Sequence, residues 1–202
     1  MLKVALTGGI ATGKTHALRR LRQLEVPTID ADDLVHGALR AGTPASLAIA
    51  QHFGAEVLGP DGAVDRKALG IRVFRDPEAR HALEGILHPQ VYRAIQAWFD
   101  ELTASGAPLG VADIPLLFET QHESDFDVVV VTACAPLEQI RRVMRRDGAS
   151  EPEAKQRVDA QMPIEEKVKR ADFVVWTDGT LDETDRQVRA VYAALVAQAG
   201  TG

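Results

Sequence analysis

Cysteine is almost absent from this chain of 202 residues, since Cys134 is the single one. An internal disulfide and a cysteine-based metal site are therefore excluded. Cys134 follows an apolar run, which predicts a buried, inert thiol. Long apolar runs are also missing, because none approaches the ~20 residues that a membrane-spanning helix requires. The chain opens directly on a predicted strand, without a charged lead and a cleavable apolar segment, so we expect a cytoplasmic protein with no membrane partner.

Basic residues are outnumbered, with 23 Lys and Arg against 29 Asp and Glu and a net charge of -6. A protein that binds nucleic acid along an extended face usually carries a basic excess, so we expect no nucleic-acid partner. Hydrophobic residues make up 46% of the chain. With this length, they predict one α/β domain with insertions and a good core. Its expected oligomeric state is a monomer or a small homo-oligomer.

The most informative stretch runs from Gly8 to Thr15 and fits the phosphate-binding pattern Gly-x-x-x-x-Gly-Lys-Ser/Thr. The apolar run Leu2 to Thr7 before it predicts a buried parallel strand. From Lys14 to about Leu24, apolar residues recur at three- and four-residue spacing, which predicts a helix. A glycine-rich turn without a ligand is the alternative, but strand, loop and helix together favour a phosphate site.

The residue types in this loop suit a polyphosphate. Gly8, Gly9 and Gly13 let the backbone approach closely and take positive φ, so that N–H groups can surround the anion. Lys14 supplies a charge for the β- and γ-phosphates, and Thr15 supplies a hydroxyl for Mg²⁺. The N-terminal end of the following helix adds a partial positive charge.

Carboxylates follow the second predicted strand, Val26 to Ile29. In a doubly wound sheet, ligands bind outside the carboxyl ends of the strands, so these acids should lie beside the phosphate loop. Asp30 is placed to cap the next helix. For Asp32 three roles are open: a helix-stabilising charge, a Mg²⁺ contact through water, or the acceptor of a proton from an attacking hydroxyl.

The region from Ala41 to about Ser105 predicts helices and no strand. One helix is expected to start at Asp76-Pro77 and a separate, longer one to run from Pro89 to about Leu102. A nucleotide-binding core does not need this much helix between its second and third strands, so we interpret it as an inserted domain for a second substrate. His88 is either a ligand contact there or a structural histidine.

The sheet resumes at Leu109 to Asp113, and Asp113 resembles the acid that orients Mg²⁺ in many phosphate-loop enzymes. Ile114 to Phe118 predicts core or the wall of a substrate pocket, and Glu119 a solvated acid. Two further apolar runs predict the last parallel strands, Asp127 to Thr132 and Asp172 to Trp176. The result is an α/β phosphate-loop fold with a five-stranded parallel sheet flanked by helices. The final helix is predicted to open on a capping box at Thr180 to Glu183.

A basic cluster lies on a predicted helix after the fourth strand, comprising Arg141, Arg142, Arg145 and Arg146. This spacing predicts that the four share one side of the helix. They form either a solvated face or the arginines that neutralise charge in phosphoryl transfer. Asp147 to Ser150 resembles a hinge, and the charged helical segment from Ser150 to Arg170 suits a lid.

Several stretches together carry a family pattern: Leu6 to Thr15, Ile29 to Asp32, Leu87-His88-Pro89, Pro115 to Glu119, Arg142 with Arg146-Asp147, and Gln161. They closely resemble dephospho-CoA kinase over nearly the whole chain. The resemblance implies transfer of the γ-phosphoryl of ATP to the ribose 3′-hydroxyl of dephospho-CoA. It also implies a nucleotide-binding core at 1–40, 106–140 and 171–202, a helical CoA domain at 41–105 and a lid at 141–170.

The expected catalytic residues are Asp32, as general base, Lys14 and Arg142. The expected nucleotide contacts are Gly8, Gly9, Ala11, Thr12, Gly13, Lys14, Thr15, His16, Arg142 and Arg146. The expected substrate contacts are Asp32, His88, Leu116 and Gln161, and the expected Mg²⁺ ligands are Thr15 and Asp113.

This chain departs from the usual family loop, Gly-Gly-Ile-Gly-Ser-Gly-Lys-Ser. It has Ala11, Thr12 and Thr15, and His16 stands where Ser or Thr is common. Ala11 therefore tests whether its position needs positive φ. Near the last strand the family tends to have Asn before Gly, whereas here Thr177-Asp178-Gly179 leaves the adenine contact open.

The sequence leaves two other functions open. Another small-molecule kinase would share the loop and lid but use a different acceptor pocket. A nucleotide switch that depends on GTP would normally carry an Asn-Lys-x-Asp motif, and this sequence has none.

Overall fold

The structure is a computed structural model and describes residues 1–200, apart from the side chain of Arg75. Its centre is a five-stranded sheet, whose strands are β1 (Leu2–Gly8), β2 (Thr28–Asp30), β3 (Leu109–Asp113), β4 (Val128–Ala133) and β5 (Phe173–Trp176). The strand order is β2-β3-β1-β4-β5. The predicted five-stranded parallel α/β fold is confirmed.

Helices connect the strands. They are α1 (Lys14–Gln23), α2 (Ala31–Ala38), α3 (Pro44–Phe53), α4 (Arg66–Arg75), α5 (Pro77–Ala104), α6 (Pro136–Asp147), α7 (Glu151–Asp159), α8 (Ile164–Lys169) and α9 (Leu181–Ala199). Short 3₁₀ turns occur at Ala55–Val57 and Glu123–Asp125. The helix starts that depend on local chemistry agree with the sequence, since Asp30 caps α2 and Thr180 opens α9 with a capping box.

The register of the sheet brings three strand ends together. β1 pairs in parallel with β3 and with β4, so that Leu6 lies opposite Asp113 and Gly8 opposite Thr132. After β1 the chain leaves toward β2, and after β4 it leaves toward β5 on the other side. Such a reversal opens a crevice at the carboxyl ends of the strands, where ligands bind in open α/β sheets.

Apolar side chains of the central strands and of the flanking helices form the main core. Its buried members include Val4, Leu6, Ala17, Leu18, Leu21, Val111, Val130, Val188 and Leu195. The strands read as continuous apolar runs because helices cover both faces of the sheet. Cys134 is fully buried just after β4, and burial raises the pKa of its thiol to about 11. The expected buried thiol is therefore found.

The chain divides into two compact units, residues 1–29 with 99–200 and residues 30–98. The sheet core described above belongs to the first. The second is helical and has its own apolar core, whose buried members are Leu39, Ala45, Ile49, Phe53, Val57, Val64, Leu69 and Leu87.

One helix boundary was predicted wrongly. The sequence predicted separate helices at Asp76-Pro77 and at Pro89, but α5 is continuous from Pro77 to Ala104 and contains Pro89 in its interior. A proline ring normally clashes with the carbonyl of the residue four positions earlier. That residue is Gly85, and a glycine adjusts its backbone more readily than other residues to a proline that follows within a helix.

No helix within residues 1–200 is long and apolar enough to cross a membrane.

Candidate active site

The phosphate loop connects β1 to α1, and its glycines answer two steric demands. A Cβ at Gly8 would overlap the hydroxyl of Thr132 on the neighbouring strand. Gly13 caps α1 at φ 86°, in the left-handed region that glycine adopts readily. The loop therefore fits tightly against β4 before the chain turns into the helix.

Ala11 lies in the left-handed region as well, with φ 59°. The position where the family loop usually has glycine thus does require positive φ, although an alanine occupies it. An L-residue pays about 1–2 kcal/mol for this conformation. The contacts of the surrounding loop must therefore hold Ala11 in place.

The side chain of Lys14 forms a short ion pair with Asp113 at the end of β3. Asp113 is 2% exposed, and the lysine side chain is 16% exposed. Two residues predicted to serve the phosphate site are thereby brought together. Their pairing fixes the lysine at the carboxyl ends of the central strands, where the loop begins.

The peptide groups around Ile10 are bound on two sides by glutamine side chains. The N–H of Ile10 donates to Oε1 of Gln161 at 2.6 Å, and its carbonyl accepts from Nε2 of Gln139 at 2.8 Å. Gln139 lies on α6, and Gln161 lies between α7 and α8. Gln161, expected to contact substrate, therefore binds the phosphate loop in this structure.

A second group of contacts supports the far side of the loop. The hydroxyl of Thr177 lies 2.9 Å from the carbonyl of Thr12, to which it donates. Nη1 of Arg142 donates to the same hydroxyl at 2.9 Å and reaches the Ala11 carbonyl at 3.4 Å. Arg142 also pairs with Glu138 at 2.9 Å. Its guanidinium is thus built into the frame of the loop.

The four arginines of α6 do not share one environment. The side chain of Arg142 is 19% exposed, whereas those of Arg141 and Arg146 are 76% and 59% exposed. Arg146 makes two hydrogen bonds to Asp147, at 2.7 and 3.0 Å, and Arg157 of α7 binds the same carboxylate at 2.6 Å. Hydrogen bonding from Arg146 lowers the pKa of Asp147. The predicted common side therefore does not give these arginines common partners: Arg142 binds Glu138 and Thr177, whereas Arg146 binds Asp147.

The side chain of His16 binds a residue of the last helix, α9. Its Nε2 lies 2.7 Å from Oδ1 of Asp185, and Nη2 of Arg19 lies 2.9 Å from its Nδ1. Asp185 also pairs with Arg20 at 3.1 Å. The imidazole thus ties α1 to α9, and a nucleotide contact at this position would come from the backbone.

A fully buried lysine lies beneath the loop. Lys167 of α8 is 0% exposed, and its Nζ lies 2.8 and 3.1 Å from the two carboxylate oxygens of Glu119. The carbonyls of Pro115 and Gly8 lie 3.3 and 3.5 Å from the same nitrogen. The expectation that Glu119 is a solvated acid is wrong, because this ion pair holds it at 22% exposure. Leu116 in the same segment is 42% exposed, while its neighbour Leu117 is fully buried.

In the helical unit, Asp32 lies in the first turn of α2 with its residue surface exposed. Its N–H donates to Oδ1 of the capping residue Asp30 at 2.9 Å. His88 lies within α5 and is half-buried.

Sequence reasoning missed the supporting residues of the loop: Gln139, Thr177, Lys167, Glu119 and Asp185. Each lies more than 100 positions from its loop partner except Glu119, which binds Lys167. Lys167 stands in the charged run Glu165-Glu166-Lys167-Val168-Lys169, which is typical of a solvated helix. A lysine in the middle of such a run gives no local signal of burial.

The parallel order, the reversal of connections at β1 and β4, and the lysine-bearing loop define a phosphate-loop kinase. Shikimate kinase from Acinetobacter baumannii shares this fold, with a TM-score of 0.54 at 14% identity over 98% of this chain and 94% of that one. A family model described as dephospho-CoA kinase matches residues 2–183. The chain therefore belongs to the dephospho-CoA kinase family.

Individual relatives agree with this assignment. A dephospho-CoA kinase of Anaeromyxobacter dehalogenans is 51% identical over 179 residues, which covers 89% of this chain and 85% of the relative. The solved structure of dephospho-CoA kinase from Campylobacter jejuni has a TM-score of 0.75 at 28% identity and covers 97% of this chain and 98% of its own.

Replacing Ala11 by glycine tests the strain in the loop. Ala11→Gly should leave the free energy of unfolding unchanged or raise it by up to about 1 kcal/mol, because relief of the left-handed conformation outweighs the added chain entropy. The matched control is Ala190→Gly, at an exposed position in the middle of α9, which should lose about 0.5–1 kcal/mol. Urea unfolding measures both, and an equal loss in the two variants would contradict the strained loop.

Replacing Thr177 by valine tests the support of the Thr12 carbonyl. Thr177 is 6% exposed, and Thr177→Val keeps the shape of the side chain but removes its hydroxyl. The groups that bind this hydroxyl then lose a hydrogen bond, so the free energy of unfolding falls by about 1–3 kcal/mol. We expect weaker ATP binding by calorimetry as well. Thr103→Val serves as control, since that hydroxyl binds its own helix at Phe99. Unchanged ATP affinity in Thr177→Val would exclude a role in shaping the loop.

Proposed function

We propose that this chain transfers the γ-phosphoryl group of ATP to the ribose 3′-hydroxyl of dephospho-CoA and so forms coenzyme A. The observation that carries the proposal is the phosphate loop with Lys14 held at its base by Asp113, in a chain whose family is dephospho-CoA kinase. Phosphoryl transfer needs positioning and neutralisation of charge more than covalent help from the protein. Both requirements can be assigned to named residues.

The triphosphate would bind along the backbone N–H groups of residues 8–15, at the start of α1. Lys14 would exchange its carboxylate partner for β- and γ-phosphate oxygens, while Asp113 stays at the end of β3. His16 would contribute its backbone N–H, since its side chain binds Asp185. This arrangement joins the helix N-terminus, the glycine backbone and one ammonium on the same anion.

Mg²⁺ would accompany the nucleotide. It prefers oxygen ligands, retains several waters and usually takes one or two carboxylates plus substrate phosphates. The hydroxyl of Thr15 and the carboxylate of Asp113 are a donor set of this kind, so these residues fit the ion. Bound there, Mg²⁺ would supply neutralisation of charge on the phosphate oxygens.

Acceptor binding is proposed for three of the residues that the sequence indicated, of which Asp32 and His88 belong to the helical unit. Asp32 would orient the 3′-hydroxyl and accept its proton, and His88 would contact dephospho-CoA, as would Leu116 from the segment after β3. Asp32 is exposed in the first turn of α2, so an incoming hydroxyl can reach its carboxylate, and a carboxylate at that distance can accept the proton.

Arginines would neutralise the transferring group. The exposed guanidinium of Arg146 is held by Asp147, together with Arg157, and phosphate oxygens could replace that carboxylate. Arg142 would contact the nucleotide from the frame of the loop, next to Thr177. We propose residues 141–170 as the lid: Arg142 and residues 161–167 fasten its two ends to the loop, and the part between them closes over the site and excludes water.

The proposal is tested by release of ADP from purified protein with Mg-ATP, with and without dephospho-CoA, and by the mass of the product. We expect release that depends on dephospho-CoA and a product heavier by one phosphate. Dependence on a different acceptor would indicate another small-molecule kinase. ATP binding without transfer to any acceptor would indicate a nucleotide switch and overturn the proposed reaction.

Replacing Asp32 by asparagine tests its role as general base independently of ATP binding. Asp32→Asn should lower kcat by about 10²–10⁴-fold, the usual contribution of general base catalysis, with little change in the Kd of ATP. The matched control is Asp33→Asn, the adjacent exposed acid in the same first turn of α2. Near-normal turnover of Asp32→Asn would exclude it as the base, and an equal loss in Asp33→Asn would point to the helix rather than the carboxylate.

A further inference from the structure

We infer that Lys167 is a positioning residue, whose buried ammonium fastens the start of the phosphate loop to the segment after β3 and to α8. The inference rests on the proposed phosphoryl transfer for its kinetic consequences. Its structural basis is independent of that reaction. Lys167 is 0% exposed, although lysine is almost never fully buried unless it is paired.

The ammonium group reaches backbone atoms on both sides of the nucleotide site. Nζ lies 3.5 Å from the carbonyl of Gly8, where the phosphate loop begins, and 3.3 Å from the carbonyl of Pro115. The Pro115 carbonyl also accepts from the hydroxyl of Thr7 at 3.2 Å. Pro115 comes two residues after Asp113, the partner of Lys14. Lys167 therefore joins the chain segments that carry the phosphate loop and its lysine-binding acid.

Glu119 extends this connection to the residues before α8. Its carboxylate pairs with Lys167 and also accepts from the N–H of Met162 at 3.0 Å. The adjacent residue, Gln161, accepts the N–H of Ile10 at 2.6 Å. Residues 161–167 thus hold the loop at both Gly8 and Ile10, with Glu119 fixing the two ends of that segment.

The choice of a lysine has a chemical reason. An ammonium has three donor hydrogens and no acceptor, and here one carboxylate and two carbonyls are available to accept them. Burial of an isolated charge is unfavourable, and apolar residues often replace a buried ion pair without loss of stability. What apolar residues cannot replace are the bonds to the Gly8 and Pro115 carbonyls. A positioning role and a purely stabilising role therefore predict different behaviour for variants that remove the charges together.

The kinetic test uses Lys167→Met and the double variant Lys167→Met with Glu119→Gln. The glutamine keeps an acceptor for Met162 and leaves no unpaired buried charge. We expect kcat at least about tenfold below the parent in both variants, because small displacements of a positioning element cost that much or more. The thermal midpoint should fall in the single variant and recover in the double one. The KM for Mg-ATP should rise, and the KM for dephospho-CoA should stay within about threefold.

The controls lie on the same helix. Lys169 and Glu166 form an exposed ion pair at 2.7 Å, with side chains 68% and 53% exposed. Lys169→Met, alone and with Glu166→Gln, should keep parental kcat. Parental kcat in the double variant at positions 167 and 119 would overturn the positioning role and leave the pair a stabilising contact only.

A second measurement needs no variant and decides the case where the variants fail to fold. Native-state hydrogen exchange of the parent protein, followed with increasing denaturant, reports the amides of Ile10 and Met162, which donate to Gln161 and Glu119. We expect the two amides to open together, with the same denaturant dependence. Independent opening, with Ile10 exchanging at much lower free energy than Met162, would overturn the connection. A parent that shows coupled opening but no turnover of dephospho-CoA would overturn the proposed function and leave the connection standing.

Discussion

A loop that points its backbone N–H groups at an anion turns several carbonyl groups the other way, and those carbonyls need donors of their own. The rest of this nucleotide site depends on meeting that demand. Side chains supply the donors in this chain: the hydroxyl of Thr12 for Gly9, Gln139 for Ile10, Arg142 for Ala11 and Thr177 for Thr12. With its outer surface bound in this way, the loop keeps one shape before any phosphate arrives. That is also why an alanine can stay at φ 59° at position 11.

The difference between the loop itself and the side chains that support it explains how much of the structure could be predicted from the sequence alone. The strand, loop and helix around Lys14 were predictable because their signals are local: an apolar run, glycines and a helical period. The caps at Asp30 and Thr180 were predictable for the same reason. The donors Gln139 and Thr177 were not, because each reaches the loop from a segment more than 100 positions away along the chain. Lys167 and Glu119 look like surface charges until the sheet order brings their segments together.

The arginines of α6 show the limit of spacing as a guide to function. Arg142 and Arg146 are one helical turn apart on the same side, yet about 6 Å of rise separates them along the axis. That distance is enough to place Arg142 against Thr177 and the loop while Arg146 reaches solvent beside Asp147. The period of a helix predicts which direction a side chain takes. The period does not predict which part of the helix lies beside a neighbouring element. That position decides which arginine contacts the phosphate loop.

The pairing of cations with carboxylates resolves an apparent conflict between the net charge of -6 and a polyphosphate ligand. Lys14 is bound to Asp113 and Arg146 to Asp147, each by a short contact. A carboxylate holds each of these cations near the site without the strong basic field that would attract other polyanions. If a triphosphate replaced these carboxylates, the exchange of one anionic partner for another would cost less than the desolvation of an unpaired cation. Lys167 differs because its carboxylate and two carbonyls enclose it completely. No phosphate can reach it, so its charge can act on the reaction only through the backbone that it holds.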